Sequence, residues 1–187
     1  MTTQKITARF NLLLLLILAA AFSRLIPHPF DFTPVGAIAL FGAAYFSNKR
    51  VAFVVPLLAM WLSDIVIQNT IYAEAGHFWF YPGTFPYNYL AFSLTVPLGF
   101  LLLKKIKIVT LISGGIAATV LFFLISNFGC WAGSAAYPQN PSGLLSCYAA
   151  GIPFFGNMLA GNLFYSALLF GAFEAAQRKF PALNTAS

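Results

Sequence analysis

Six apolar runs alternate with short polar breaks along this chain, and the breaks hold nearly all of the charge. The runs cover 10–26, 34–46, 51–69, 88–103, 108–128 and 153–176. A helix needs about 20 apolar residues to cross the hydrocarbon core of a bilayer. The pattern therefore predicts an all-α integral membrane protein, one membrane domain over 1–187 with six transmembrane helices. The second run is the misfit: 34–46 rises only about 20 Å as a helix. Thr33 suits its cap and Pro34 its first position. The preceding stretch, Pro27-His28-Pro29-Phe30-Asp31-Phe32, is incompatible with regular helix. A Pro-rich, non-helical segment thus leads into a short helix and is expected to dip below the outer surface. Such backbone is tolerated at membrane depth only where protein buries it or it lines a cavity.

Charge turns this pattern into a topology. Of the ten lysines and arginines, nine fall in four groups: Lys5 and Arg9; Lys49 and Arg50; Lys104, Lys105 and Lys107; Arg178 and Lys179. The positive-inside rule puts all four groups in the cytoplasm. Both termini are then inside, and the connections 27–33, 70–87 and 129–152 face outside. Both ends inside require an even number of spans, and six fits. Composition agrees. The 187 residues are 60% hydrophobic and 7% charged, with a mean hydropathy of +0.82. A soluble domain carries about 25% charged residues. The net charge of +6 is dispersed at membrane exits and does not indicate nucleic acid. The N-terminal run looks like a signal peptide, but it continues into the Pro-rich segment, so it is read as uncleaved. The expected location is a bacterial inner membrane.

Arg24 is the one cation outside the four groups. It is a ligand-binding cation, an ion-pair partner of Asp31 or Asp64, or an arginine snorkelling to the outer headgroups. Asp64 lies about 20 Å up the third helix from Arg50. At that depth a carboxylate must face the bundle interior, a partner or water. Trp61 precedes it by three residues, on the same helical side. His28 and His77 both fall in outer connections, with no second ligand at metal spacing, so no metal site is expected. The run Phe78-Trp79-Phe80-Tyr81 is either an interfacial belt or a lid that stacks on a flat ligand. Cys130 and Cys147 flank the long third connection. They are candidates for a disulfide, which an oxidising outer face favours; free thiols and soft metal ligands are the other readings. Asn127 and Asn157, near outer helix ends, can reach a cavity; Asn162 and Tyr165 are expected to join helices.

Several chemistries are missing. No Gly-rich phosphate loop with its Lys and Ser/Thr is present, nor a His-Glu-x-x-His motif. Two loop histidines support no Ser/His/Asp constellation. The chain is therefore not expected to be an enzyme or to need a cofactor.

The stretch from Arg24 through Pro27, His28, Asp31 and Pro34 to Ala43 resembles the opening of an uncharacterised bacterial six-helix family. Leu57 to Asp64, Ser126 to Trp131 and Ile152 to Tyr165 resemble it as well. That family is described as similar to the substrate-binding S components of energy-coupling-factor (ECF) vitamin transporters. The resemblance implies uptake of a vitamin or similar micronutrient through an outward pocket, with a membrane scaffold and ATPase subunits as partners. It departs in one respect. The Ala-x-x-x-Ala pattern of the first S-component helix is replaced by contiguous Ala19, Ala20 and Ala21, and the four-spaced pair Ala39 and Ala43 falls in the second run. The expected pocket is lined by Arg24, His28, Asp31, Asp64, Trp79, Tyr81, Asn127, Trp131 and Asn157. The rival expectation is a non-transporting accessory or structural subunit of a larger membrane complex.

Overall fold

A computed structural model describes residues 3–80 and 85–184. It holds six α-helices: α1 (Thr3–Phe22), α2 (Val35–Tyr45), α3 (Lys49–Thr70), α4 (Phe85–Leu102), α5 (Ile108–Gly133) and α6 (Pro141–Lys179). Short 3-10 turns follow α1 at Ser23–Leu25 and α6 at Pro181–Leu183. Four stretches are long and apolar enough to cross a membrane: Thr7–Leu25, Lys49–Thr70, Ile108–Gly133 and Pro141–Lys179. The six expected helices are present. Among the described residues, four of them meet the length and hydropathy of a span.

The short helix is the core. Its sequence, Val-Gly-Ala-Ile-Ala-Leu-Phe-Gly-Ala-Ala-Tyr, has no polar face, and a helix apolar all round must be surrounded. Every residue of α2 except Ala44 is buried. It packs on α1, α3, α4, α5 and α6. Phe41, Tyr45, Phe170 and Phe173 interlock edge to face, with centroids 4.4–5.9 Å apart. Aromatic pairs at such angles add about 0.5–1.5 kcal/mol each beyond their buried area. Close approach to α3 depends on Gly42, where a Cβ would sit 2.6 Å from Pro56 Cγ.

The Pro-rich segment is exposed from Pro27 to Asp31 and packs against protein only at its end, from Phe32 to Pro34. A Cβ on Gly161, midway along α6, would lie 2.7 Å from Thr33 N, so only glycine admits that backbone. Phe32 stacks on Phe164 and Tyr165. Asn162 ties three helices together. Its Oδ1 accepts from Ala37 N–H in the first turn of α2 at 3.2 Å, and its Nδ2 donates to Thr119 Oγ1 on α5 at 2.8 Å. Tyr165 Oη hydrogen-bonds Ser23 Oγ at 2.8 Å. Both residues join helices, as their depth in the sequence implied.

The helix ends carrying the basic groups meet at one end of the bundle. Arg9 donates to Leu183 O at 2.7 Å and to Tyr45 O at 3.2 Å. Tyr45 Oη donates to Glu174 Oε1 at 3.1 Å, and Lys49 Nζ lies 5.9 Å from the Phe100 ring.

The third connection corrects the sequence reading. The break expected over 129–152 shrinks to 134–140, because α5 runs on to Gly133 and α6 starts at Pro141. Asn140 Oδ1 caps α6 by accepting from Gly143 N–H at 2.9 Å, and Pro141 supplies the first helical position. The sequence pattern starts the sixth run at Pro153. That proline is an interior residue of a 39-residue helix. Proline removes one ladder donor, and the helix runs on through it although Ile152, Pro153 and Phe154 are exposed.

Candidate functional site

At the end opposite the basic groups, three helices direct polar side chains to one point. The 3-10 turn after α1 presents Arg24. Its Nη1 donates to Asp64 Oδ1 on α3 at 2.5 Å and to Ser63 Oγ at 3.0 Å. From α4, Tyr89 Oη donates to the other carboxylate oxygen, Asp64 Oδ2, at 2.7 Å. Ser63 Oγ in turn donates to Met60 O at 2.8 Å. The side chains of Arg24 and Asp64 are 17% and 12% exposed, so the pair is largely desolvated. A charge at that burial persists only when it is paired and hydrogen-bonded, and both oxygens of Asp64 are engaged. Of the ion pairs open for Arg24, the one with Asp64 is realised.

Three cavities meet at Arg24. The first, about 230 Å³, lies between α3 and α4 and is lined by Asp64, Gln68, Tyr72, Asn88, Tyr89 and Phe122 among others. The second, about 310 Å³, runs toward α5 and α6 past Asp31, Thr33, Ser126, Asn127 and Cys130. The third, about 240 Å³, opens beside His28, Phe30, Asp31 and Tyr72. Arg24 lines all three. Val35, the first residue of α2, lines the first two. The positive end of that helix therefore borders the cavities.

Asp31 sits where the Pro-rich segment turns. Its φ of +60° is the left-handed conformation that Asp and Asn tolerate better than most residues. Its carbonyl accepts from Thr33 N–H at 2.9 Å. The residue as a whole is exposed, yet its carboxyl borders two cavities. That partial burial raises its pKa above the usual carboxylate value, while nearby His28 pulls the other way.

Of the nine residues expected at the pocket, Arg24, His28, Asp31, Asp64 and Asn127 line these cavities. Trp79 does not. Asn69, at the end of α3, clasps its backbone from both sides, accepting from Trp79 N–H at 2.9 Å and donating to Trp79 O at 2.7 Å. Trp61 Nε1 donates to Phe80 O at 3.2 Å. These bonds hold Trp79 and Phe80 against α3. Trp131 is also turned away, its Nε1 donating to Pro138 O at 2.9 Å to brace the short connection. Asn157 is not among the lining residues, and Tyr81 lies outside the described residues. Cys130 and Cys147 are free thiols. They face each other across the ends of α5 and α6, with Cys147 Sγ 3.3 Å from Asn127 O. Among the described residues, no group of three metal-ligating side chains comes together.

Tyr89, Ser63, Asn88 and Gln68 were missed. Gln68 follows Asp64 by one helical turn, which was a usable signal. Tyr89 carried none, because an aromatic at a helix start reads as an interfacial residue.

These features define a class: a six-helix protein, multi-pass by helix length and composition, with a desolvated ion pair at the junction of three cavities. Within that class, the chain belongs to a family of unknown function (DUF6580), whose profile matches residues 4–183. No curated protein and no solved structure matches it.

Proposed function

We propose that this protein is a substrate-binding membrane subunit for uptake of a vitamin or similar micronutrient, comparable to an ECF S component. The observation that carries the reading is the convergence of three cavities on Arg24. A small-molecule site is a mostly apolar concavity of about 300–1,000 Å³ with a few convergent polar groups. Adjoining cavities of about 230, 310 and 240 Å³, lined by Phe122, Val35 and Met60 around one ion pair, suit that description. The basic groups lie at the other end of the bundle, and the positive-inside rule then turns the cavities outward. An Arg and a carboxylate buried among helices are expensive and mark a ligand or ion path by default.

The test is to purify the protein in mild detergent from cells grown on a complex vitamin mixture and to identify the extracted small molecule by mass spectrometry. A defined ligand is expected, together with an upward shift of the melting temperature on adding it back. Arg24→Ala should abolish both. Nucleotide-binding subunits recovered in the same eluate would support the transport role. Protein that is repeatedly empty and unshifted by any vitamin, or an Arg24→Ala variant that binds as well as wild type, would count against the reading.

A further inference from the structure

A fourth concavity shares one lining residue, Tyr89, with the first cavity. It is a groove of about 720 Å³ on the outer side of α3 and α4, lined by Leu57, Leu58, Trp61, Leu90 and Ser93. Tyr89 lines both the groove and the cavity that holds Asp64. Its hydroxyl is anchored inside on Asp64, and the same residue borders the groove. Leu58 and Leu90 are 50% and 49% exposed. Because α3 is long and apolar enough to span a membrane, that face meets lipid tails. An apolar groove there contains hydrocarbon in any case; what sets this one apart is the polar chamber that shares Tyr89 with it.

The two linings together describe one kind of molecule. Inside, Arg24 and Asp64 neutralise each other, and the other polar lining groups are the amides of Gln68 and Asn88 and the phenols of Tyr72 and Tyr89. Such a set hydrogen-bonds an uncharged head, and its side chains carry no net charge. Outside, the groove offers apolar surface alone, apart from Ser93 and the edges of Trp61 and Tyr89. We infer that the site takes an amphipathic ligand, with an uncharged hydroxyl or carbonyl head beside Asp64 and a hydrocarbon chain in the α3–α4 groove, and that this ligand enters from the bilayer past Tyr89. The inference rests on the binding role proposed above and names its substrate class and its route. The Tyr89 ring moves aside to open the way, and its bond to Asp64 recloses it.

The experiment uses the full chain in phosphatidylcholine nanodiscs and a long-chain fatty alcohol bearing a diazirine next to its hydroxyl. After illumination, peptide mapping should find label on the segments holding Gln68, Tyr72 or Asn88, competed by the unlabelled alcohol. Ser93→Trp fills the groove from a partly exposed position and should cut that labelling at least tenfold. Ile116→Trp, on the exposed face of α5, should leave it unchanged. Tyr89→Phe should speed its appearance. Cavity labelling no higher than on the lipid face of α5, or equal in wild type and Ser93→Trp, overturns the inference. A fully water-soluble ligand from the mass-spectrometric test that binds Ser93→Trp as fast as wild type overturns the lateral route and leaves the binding role standing. Failure to bind any molecule from water or bilayer removes both.

Discussion

Asp64 accepts from Arg24 on one oxygen and from Tyr89 on the other, and this makes its removal asymmetric. Asp64→Ala leaves the Arg24 guanidinium desolvated and unpaired, at a cost of about 3–5 kcal/mol. Replacing both partners with apolar residues of similar size removes charge and counter-charge together and is often near neutral. Thermal melting in detergent should therefore rank wild type close to the Arg24→Met/Asp64→Leu double variant, with Asp64→Ala well below both. A single variant as stable as the double would mean that the pair is not desolvated. Asp31 follows the opposite logic. Its folded pKa is raised by burial, so the folded state holds the proton more tightly than the unfolded state does. The associated stability is present below the unfolded value of about 3.9 and is lost as pH rises through the folded value. Asp31→Asn keeps a residue that accepts the +60° φ and removes the ionisation. It should melt slightly above wild type at neutral pH, with the gap closing as the pH falls to about 3.5. A gap independent of pH would assign the effect to the backbone instead.

At the scale of elements, the path of the Pro-rich segment depends on one glycine in the middle of α6. Gly161→Ala would place a methyl 2.7 Å from Thr33 N, where the neighbour is backbone with no rotamer to yield. The expected result is a loss of about 1–3 kcal/mol from overpacking and a displaced segment, read as a lower melting temperature and altered protease sensitivity near Phe30. Ala160→Gly, on the exposed side of the same helix, should cost only about 1 kcal/mol of helix propensity and leave the segment in place. The run of aromatics after α3 shows why a single element can mislead. Phe78 to Tyr81 read equally as belt or lid in one dimension. Two hydrogen bonds from Asn69 to the backbone of Trp79 draw Trp79 to the end of α3, and nothing in the local pattern announces that Asn69 is the clasp.

Across the whole molecule, the distribution of cations makes a topology that labelling can check. In a Cys130→Ser/Cys147→Ser background, single cysteines at His77 and at Lys105 should react oppositely with a membrane-impermeant maleimide on intact cells: labelled at 77, silent at 105 until the membrane is opened. The reverse pattern would invert the molecule and turn the cavities inward. The same background also tests the thiol pair. Wild-type protein treated with a mild oxidant should form a bond between α5 and α6, since Cys130 and Cys147 face each other; the two serines should abolish the corresponding gel shift.

Hydropathy, charge and proline are one-dimensional signals, and what depends on them alone was legible in the chain. Six helices, the short second one, the broken stretch before it and the need of Arg24 and Asp64 for partners all follow from where apolar runs stop, where charges sit and where proline forbids helix. The end of the third connection was not legible, because proline marks many helix boundaries but not all, and α6 continues through Pro153. Side-chain partnership was not legible either. Arg24 and Asp64 are 40 positions apart, and Asp64 and Tyr89 are 25 apart; whether they meet depends on how three helices are rotated about their axes. That rotation is set by contacts such as Gly42 on Pro56 and Gly161 on Thr33, each a matter of one methyl group. The sequence by itself determined which residues cannot face lipid. Only the packing around α2 decided which of them share a site, because close-packed helices admit one rotation and register among many that the same apolar pattern would allow.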